Sequence, residues 1–173
     1  MNKNIDPDWP RERPAEARIV PGLFRSRNFI WENDHRIVEA RGVTWSQFLA
    51  LSSLRSSPPD YVMSPTQLYR AAQVTSGGMT KMMHALSDAG FIERVDNPDD
   101  GRSRLVRLTV EGAELAETIV EDLIRANKAL IGGILTPEET EALATLLRKL
   151  SLGLEDRFQQ HPREDAETVG VLR

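Results

Sequence analysis

The chain contains no cysteine. That excludes a disulfide framework, a thiolate zinc site, a catalytic cysteine and thiol redox sensing. Histidine is scarce too: His35, His84 and His161 are scattered, so neither a metal centre nor any other cofactor is expected. No run of about 18 apolar residues occurs, which predicts no transmembrane helix and no membrane partner. The opening MNKNIDPDWPRERP lacks an apolar core and does not read as a secretory signal. A Gly-rich phosphate loop and a nucleophile–base pairing are also missing, so no enzyme is expected. These exclusions leave a cytoplasmic protein of 173 residues, long enough for one domain or for a small domain with a dimerisation element.

The formal net charge of −4 speaks against a nucleic-acid partner until its distribution is followed. Residues 111–173 carry 7 Lys/Arg against 13 Asp/Glu, whereas residues 1–110 carry 15 against 13. The acid excess is confined to the last third. A local basic reader elsewhere remains compatible with it.

Residues 1–17 are polar, hold Pro7, Pro10 and Pro14, and read as an extended arm. From Arg18 to Arg41 the pairs Leu23/Phe24, Ile30/Trp31 and Ile37/Val38 recur every seven residues, one apolar stripe on a long helix ended by Gly42. Thr44-x-x-Gln47 is a capping box that opens a second helix, with Trp45, Phe48, Leu49 and Leu54 at helical spacing, and Ser57-Pro58-Pro59-Asp60 stops it. Ser64-Pro65-Thr66-Gln67 starts a short helix that reaches about Gln73. After a break at Thr75-Ser76-Gly77-Gly78, a further helix carries Met79, Met82, Met83 and Leu86 to a C-cap at Gly90. Two such helices joined by a tight turn form a helix-turn-helix pattern.

Beyond Gly90 the period changes. Phe91–Val95 and Arg104–Leu108 are β-rich, and Asn97-Pro98-Asp99-Asp100-Gly101 between them is dense in turn formers, which predicts a hairpin with a charged tip. Thr109 then caps a helix to about Ile131, and Thr136-Pro137-Glu138-Glu139 opens a last one striped by Leu143, Leu146, Leu147, Leu150, Leu154 and Phe158. The expected fold is mainly α (α+β): a winged helix-turn-helix with long N- and C-terminal dimerisation helices. Its parts are an arm (1–17), a dimerisation helix with a second helix (18–60), the winged helix-turn-helix (61–109), C-terminal dimerisation helices (110–160) and a flexible tail (161–173). A reader of about 50 residues cannot bury these stripes alone, so an intertwined homodimer is expected.

The stretch Asp100-Gly101-Arg102-Ser103-Arg104-Leu105-Val106-Arg107-Leu108-Thr109, followed by Gly112, resembles the wing pattern D-x-R-x-x-x-V-x-L-T-x-x-G of the multiple-antibiotic-resistance regulator (MarR) family. Upstream, LSDAGFIER is similar to that family's passage from recognition helix to wing. The resemblance covers roughly residues 20–160. It implies a homodimeric winged-helix protein that binds double-stranded DNA, usually a repressor released by a small ligand. Trp9-Pro10-Arg11-Glu12-Arg13-Pro14 also resembles the W-x-x-E-R-P passage of the family's urate-responsive branch, where an N-terminal tryptophan contacts the ligand.

Candidate residues follow from helix faces and hairpin geometry. Thr75, Ser76, Gly77, Thr80, Lys81 and His84 lie away from the apolar positions of the second reader helix, whose first turn meets bases and phosphates in such motifs. Arg102 stands at the wing tip, where a cation can enter a narrow minor groove. Asp100 is expected to brace the arginine or the turn, and Arg104 and Arg94 to reach phosphates. Trp9, Arg27, Trp31 and Trp45 are candidates for an effector cleft, the effector being anionic or aromatic. For Phe24, Trp31 and Phe48, core packing at the dimer interface is the better reading. The function expected is a ligand-responsive, sequence-specific transcriptional regulator, a repressor, on a pseudopalindromic operator. The alternative is a winged-helix protein-interaction module, which would favour an apolar or acidic face where Ser76, Thr80 and Lys81 stand.

Overall fold

A computed structural model describes residues 13–58, 60–72, 76–98, 100 and 102–160. Helix α1 (Ala15–Glu39) opens behind Pro14, whose φ of −49° suits a helix start and whose carbonyl accepts from the Ala17 amide at 3.0 Å. Residues 15–17 are therefore helical, not part of an arm; the apolar stripe begins only beyond them and could not reveal that start. Pro21 removes one backbone bond inside α1 without ending it. Gly42, at φ +78°, closes the turn that follows.

Helix α2 (Trp45–Arg55) carries the capping box: the Gln47 amide donates to Thr44 Oγ1 and the Thr44 amide to Gln47 Oε1. Ser64 and Gln67 form the same reciprocal pair at the start of α3 (Pro65–Ala72). Helix α4 (Ser76–Asp88) follows, and Gly90, at φ +77°, turns the chain out of it. Strands β2 (Ile92–Asp96) and β3 (Arg104–Leu108) make the hairpin. A third strand, β1 (Val62–Met63), pairs antiparallel with β3 through Val62↔Arg107 and Met63↔Val106, giving the order β1-β3-β2. Two residues cannot show alternation, so the sequence pattern held no sign of β1.

Helix α5 (Val110–Gly132) and helix α6 (Pro137–Gln160) complete the chain. The backbone divides into two units that meet at Arg125/Ala126. In the first, the larger core joins Leu51 and Leu54 of α2, Leu68 of α3, Met82, Met83 and Leu86 of α4, Ile92, Val106 and Leu108 of the wing and Ala116 of α5. A second cluster holds Val38, Val43, Phe48, Ile119 and Leu123. Phe48 is thus buried within one chain. Helix α2 is central enough to bury Ala50 and Leu51 along with Phe48 and Leu54 of its apolar stripe, whereas Trp45 and Leu49 are half-buried.

The apolar stripe of α1 is largely uncovered: Ile19, Val20, Leu23, Phe24 and Trp31 are exposed, and Val38 alone among the helix's described residues is buried. On α6, Leu143, Leu146, Leu150, Leu154 and Phe158 are exposed too. No helix among the described residues is long and apolar enough to cross a membrane.

Candidate nucleic-acid interface

Helix α4 is two-sided. Met82, Met83 and Leu86 are buried in the larger core, which fixes the helix's rotation. At about 100° per residue, Thr80, Lys81 and His84 then fall within one arc on the opposite side, and all three are exposed. Ser76 and Gly77 form the first turn of α4. Thr75 lies outside the described residues. The exposed arc offers a hydroxyl, an ammonium and an imidazole with no large apolar group among them.

The hairpin is anchored at its base and polar at its tip. Val106 and Leu108 are buried beneath it, as core-facing positions should be. The Arg102 amide donates to Asp100 Oδ1 at 3.0 Å, and the Ser103 amide to the Asp100 carbonyl at 3.0 Å. Asp100 therefore braces the turn's backbone. Arg102 is exposed, and among the described residues no carboxylate forms an ion pair with its guanidinium. Arg104 differs: its Nη1 lies 3.0 Å from Asp96 Oδ1 on the facing strand. Arg107 pairs with Glu93 at 2.8 Å in the same manner. Arg94 is exposed on β2.

The base of the wing is held by residues that a search for DNA contacts would pass over. Thr109 Oγ1 donates to the Gly90 carbonyl at 2.7 Å and accepts from the Gly112 amide at 3.0 Å. The Thr109 amide donates to the Phe91 carbonyl at 3.1 Å. A Cβ on Gly112 would stand 2.1 Å from that same carbonyl oxygen. The T-x-x-G end of the motif is thus a joint between wing and α5, and glycine is there because backbone passes against backbone.

Three of the four effector candidates meet in one place. Arg27 lies over the Trp31 ring at 4.7 Å, and Trp31 and Trp45 are 5.1 Å apart. His35, which sequence reasoning did not select, stacks on Trp45 at 4.8 Å and lies 4.1 Å from Trp31. Its i, i+4 spacing from Trp31 was the available signal. Trp9 lies outside the described residues.

The MarR family model matches residues 43–103, which run from the end of the α1 turn through the wing tip. The multiple antibiotic resistance protein MarR of Escherichia coli K12 is 32% identical over 108 residues, 62% of this chain and 73% of that protein. The chain belongs to the MarR family. Among solved structures, the multiple antibiotic resistance repressor MarR superposes with a TM-score of 0.66 at 26% identity, over 80% of this chain and 95% of that one. A mutant MarR from E. coli complexed with operator DNA gives 0.57 at 29% identity, over 80% and 99%. NadR in complex with 4-hydroxyphenylacetate gives 0.59 at 25% identity, over 76% and 91%. In MarR-family terms, α3 and α4 are the helix-turn-helix and β2–β3 is the wing.

Proposed function

We propose that this MarR-family chain is a sequence-specific DNA-binding transcriptional regulator, with no catalytic activity of its own, acting in the cytoplasm as a homodimer on a pseudopalindromic operator. Helix α4 would enter the major groove, presenting Ser76, Gly77, Thr80, Lys81 and His84, with Thr75 just before it. Arg102 would enter the minor groove beside it, with Arg104 within reach of the flanking phosphates. The observation that carries the reading is the pairing of a polar arc on a core-locked helix with an exposed arginine at a braced hairpin tip. The MarR mutant solved with operator DNA supports it. A gel shift on the DNA upstream of the chain's own gene, repeated across salt concentrations, tests it. Binding should weaken steeply with salt, because phosphate contacts release counterions. Retention of an unrelated protein, with no shifted DNA at any salt, would favour the interaction module instead.

The dimer would be held by the uncovered apolar stripes of α1 and α6, with residues 18–41 and 110–160 supplying the interface. Repression and release by an effector form the finer part of the reading. The cluster of Arg27, Trp31 and Trp45, with Trp9 joining from the N-terminal segment, would take an anionic or aromatic molecule: indole faces stack on planar rings and a guanidinium pairs with an anion. NadR, solved with 4-hydroxyphenylacetate, gives that chemistry a precedent.

A further inference from the structure

Arg104 and Asp96 occupy the last rung of the β2–β3 ladder before the wing tip, directly opposite each other in register. Their side chains lie on the same face of the hairpin as Ile92, Val106 and Leu108, since residues two apart on a strand share a face. Toward the base Ile92, Val106 and Leu108 are buried in the core while Arg94 on that face is exposed; at the Asp96–Arg104 rung both side chains are open to solvent, 84% and 58% exposed. The guanidinium is 3.0 Å from the carboxylate. A carboxylate offers a guanidinium the same planar pair of anionic oxygens that a phosphate does. Arg102, two residues away on the tip, has no such partner among the described residues.

We propose that Asp96 acts as an intramolecular substitute for a DNA phosphate, holding Arg104 in the free protein so that this arginine adds little to sequence-independent binding. The inference rests on the DNA-binding reading above. Its physics is competition. An exposed ion pair is weak enough to be exchanged, yet while it persists the rung carries no net charge. Phosphate affinity comes from neutralised charge and the counterions it releases, so a pre-neutralised arginine contributes little to it. A phosphate contact carries no sequence information, so suppressing one lowers non-specific binding as much as specific binding. A wing whose Arg104 is already occupied therefore leans on base readout by α4 and on Arg102 more than on a general positive field.

Asp96→Asn, Arg104→Gln and the double variant test this on two duplexes of equal length, one from upstream of the chain's own gene and one of random sequence. Asp96→Asn should bind both duplexes about three- to tenfold more tightly at low salt. Its plot of log K against log salt should be steeper than wild type's by about one unit, as one more phosphate is neutralised. Adding Arg104→Gln should abolish the gain and restore the slope. The melting temperature should move by no more than about 3 °C, as for any exposed pair. Weaker binding by Asp96→Asn would mean that the carboxylate positions the arginine for DNA, which overturns the proposal. A gain that survives in the double variant would trace to the removal of an anion alone and overturns it equally. Wild-type protein that binds neither duplex would defeat the DNA-binding reading first, and this inference with it; wild-type binding alongside an unchanged Asp96→Asn defeats only this inference.

Discussion

The carbonyl oxygen of Phe91 lies against the α-carbon of Gly112, where a Cβ would approach it to 2.1 Å. Two effects of Gly112→Ala oppose each other. Alanine gains about 1 kcal/mol of helix propensity. The clash is with backbone, which can yield only by moving the wing away from α5, and overpacking of that kind costs about 1–3 kcal/mol or more. Steric cost should win: a net loss of about 2 kcal/mol is expected by urea unfolding. Gly22 in α1 is the control, because nothing lies within 4 Å of its notional Cβ. Gly22→Ala should stabilise by about 0.5–1 kcal/mol. A Gly112→Ala protein as stable as wild type would contradict the joint.

Arg41 reaches 81 residues along the sequence to Asp122, its Nε donating to Oδ2 at 2.8 Å and its Nη2 to the same oxygen. Arg125 Nη1 meets the other oxygen at 3.0 Å. The hydrogen bond from Arg41, above all, holds the Asp122 carboxyl below its ordinary range. A depressed carboxyl stabilises the fold above its unfolded value and loses that contribution as pH falls through the folded one. The loss therefore lies below about pH 4. Asp122→Asn should melt lower than wild type at pH 7, and the gap should narrow on titration toward pH 3. Melting curves that stay parallel down to pH 3 would show the pair to be idle.

Where local chemistry decides structure, the sequence was legible. Thr44/Gln47, Ser64/Gln67 and Thr136/Glu139 each form the reciprocal cap their spacing implies. The wing could be read because turn formers sit between two β-rich runs and a family pattern overlays them. Contacts between distant positions could not be read. Nothing at Arg41 points to Asp122, nothing at Asp96 points to Arg104 until register is known, and β1 forms only because β3 passes beside it. The α1 stripe indicated an apolar face correctly but could not say what covers it: the fold itself buries Val38 and leaves Phe24 open.

That open surface leads to a prediction about assembly. Phe24 on α1 is 64% exposed, and on α6 Leu146 is 63% and Phe158 69% exposed; large apolar side chains left open along a helix mark a surface for a partner. Sedimentation at micromolar concentration should give a species of twice the 19.5 kDa chain mass. Phe24→Glu and Leu146→Glu should each shift it toward the monomer and lower DNA affinity with it, since half-site spacing is read by both protomers. A folded wild-type monomer would rule out the interface.

The two halves of the proposed DNA reader can be tested separately. Arg102 stands on an exposed tip whose turn is held by Asp100 through backbone, so its side chain adds little to the core. Arg102→Ala should melt like wild type and lose about 1–3 kcal/mol of operator affinity, with the loss greatest where the minor groove is narrow. Lys81 projects from α4 on the opposite side from Met82, Met83 and Leu86. If Lys81 meets only a phosphate, Lys81→Ala should weaken all sequences alike and lower the salt slope by about one unit; if it meets a base, specificity should relax at one operator position instead. On the proposed reading the two side chains would serve different grooves, so the double variant's loss should equal the sum of the single losses within about 0.5 kcal/mol. Thermal melts and operator affinities for both single variants and the double decide the matter. An Arg102→Ala protein that melts normally and still binds its operator as tightly as wild type would remove the wing from the interface, leaving α4 to carry recognition alone.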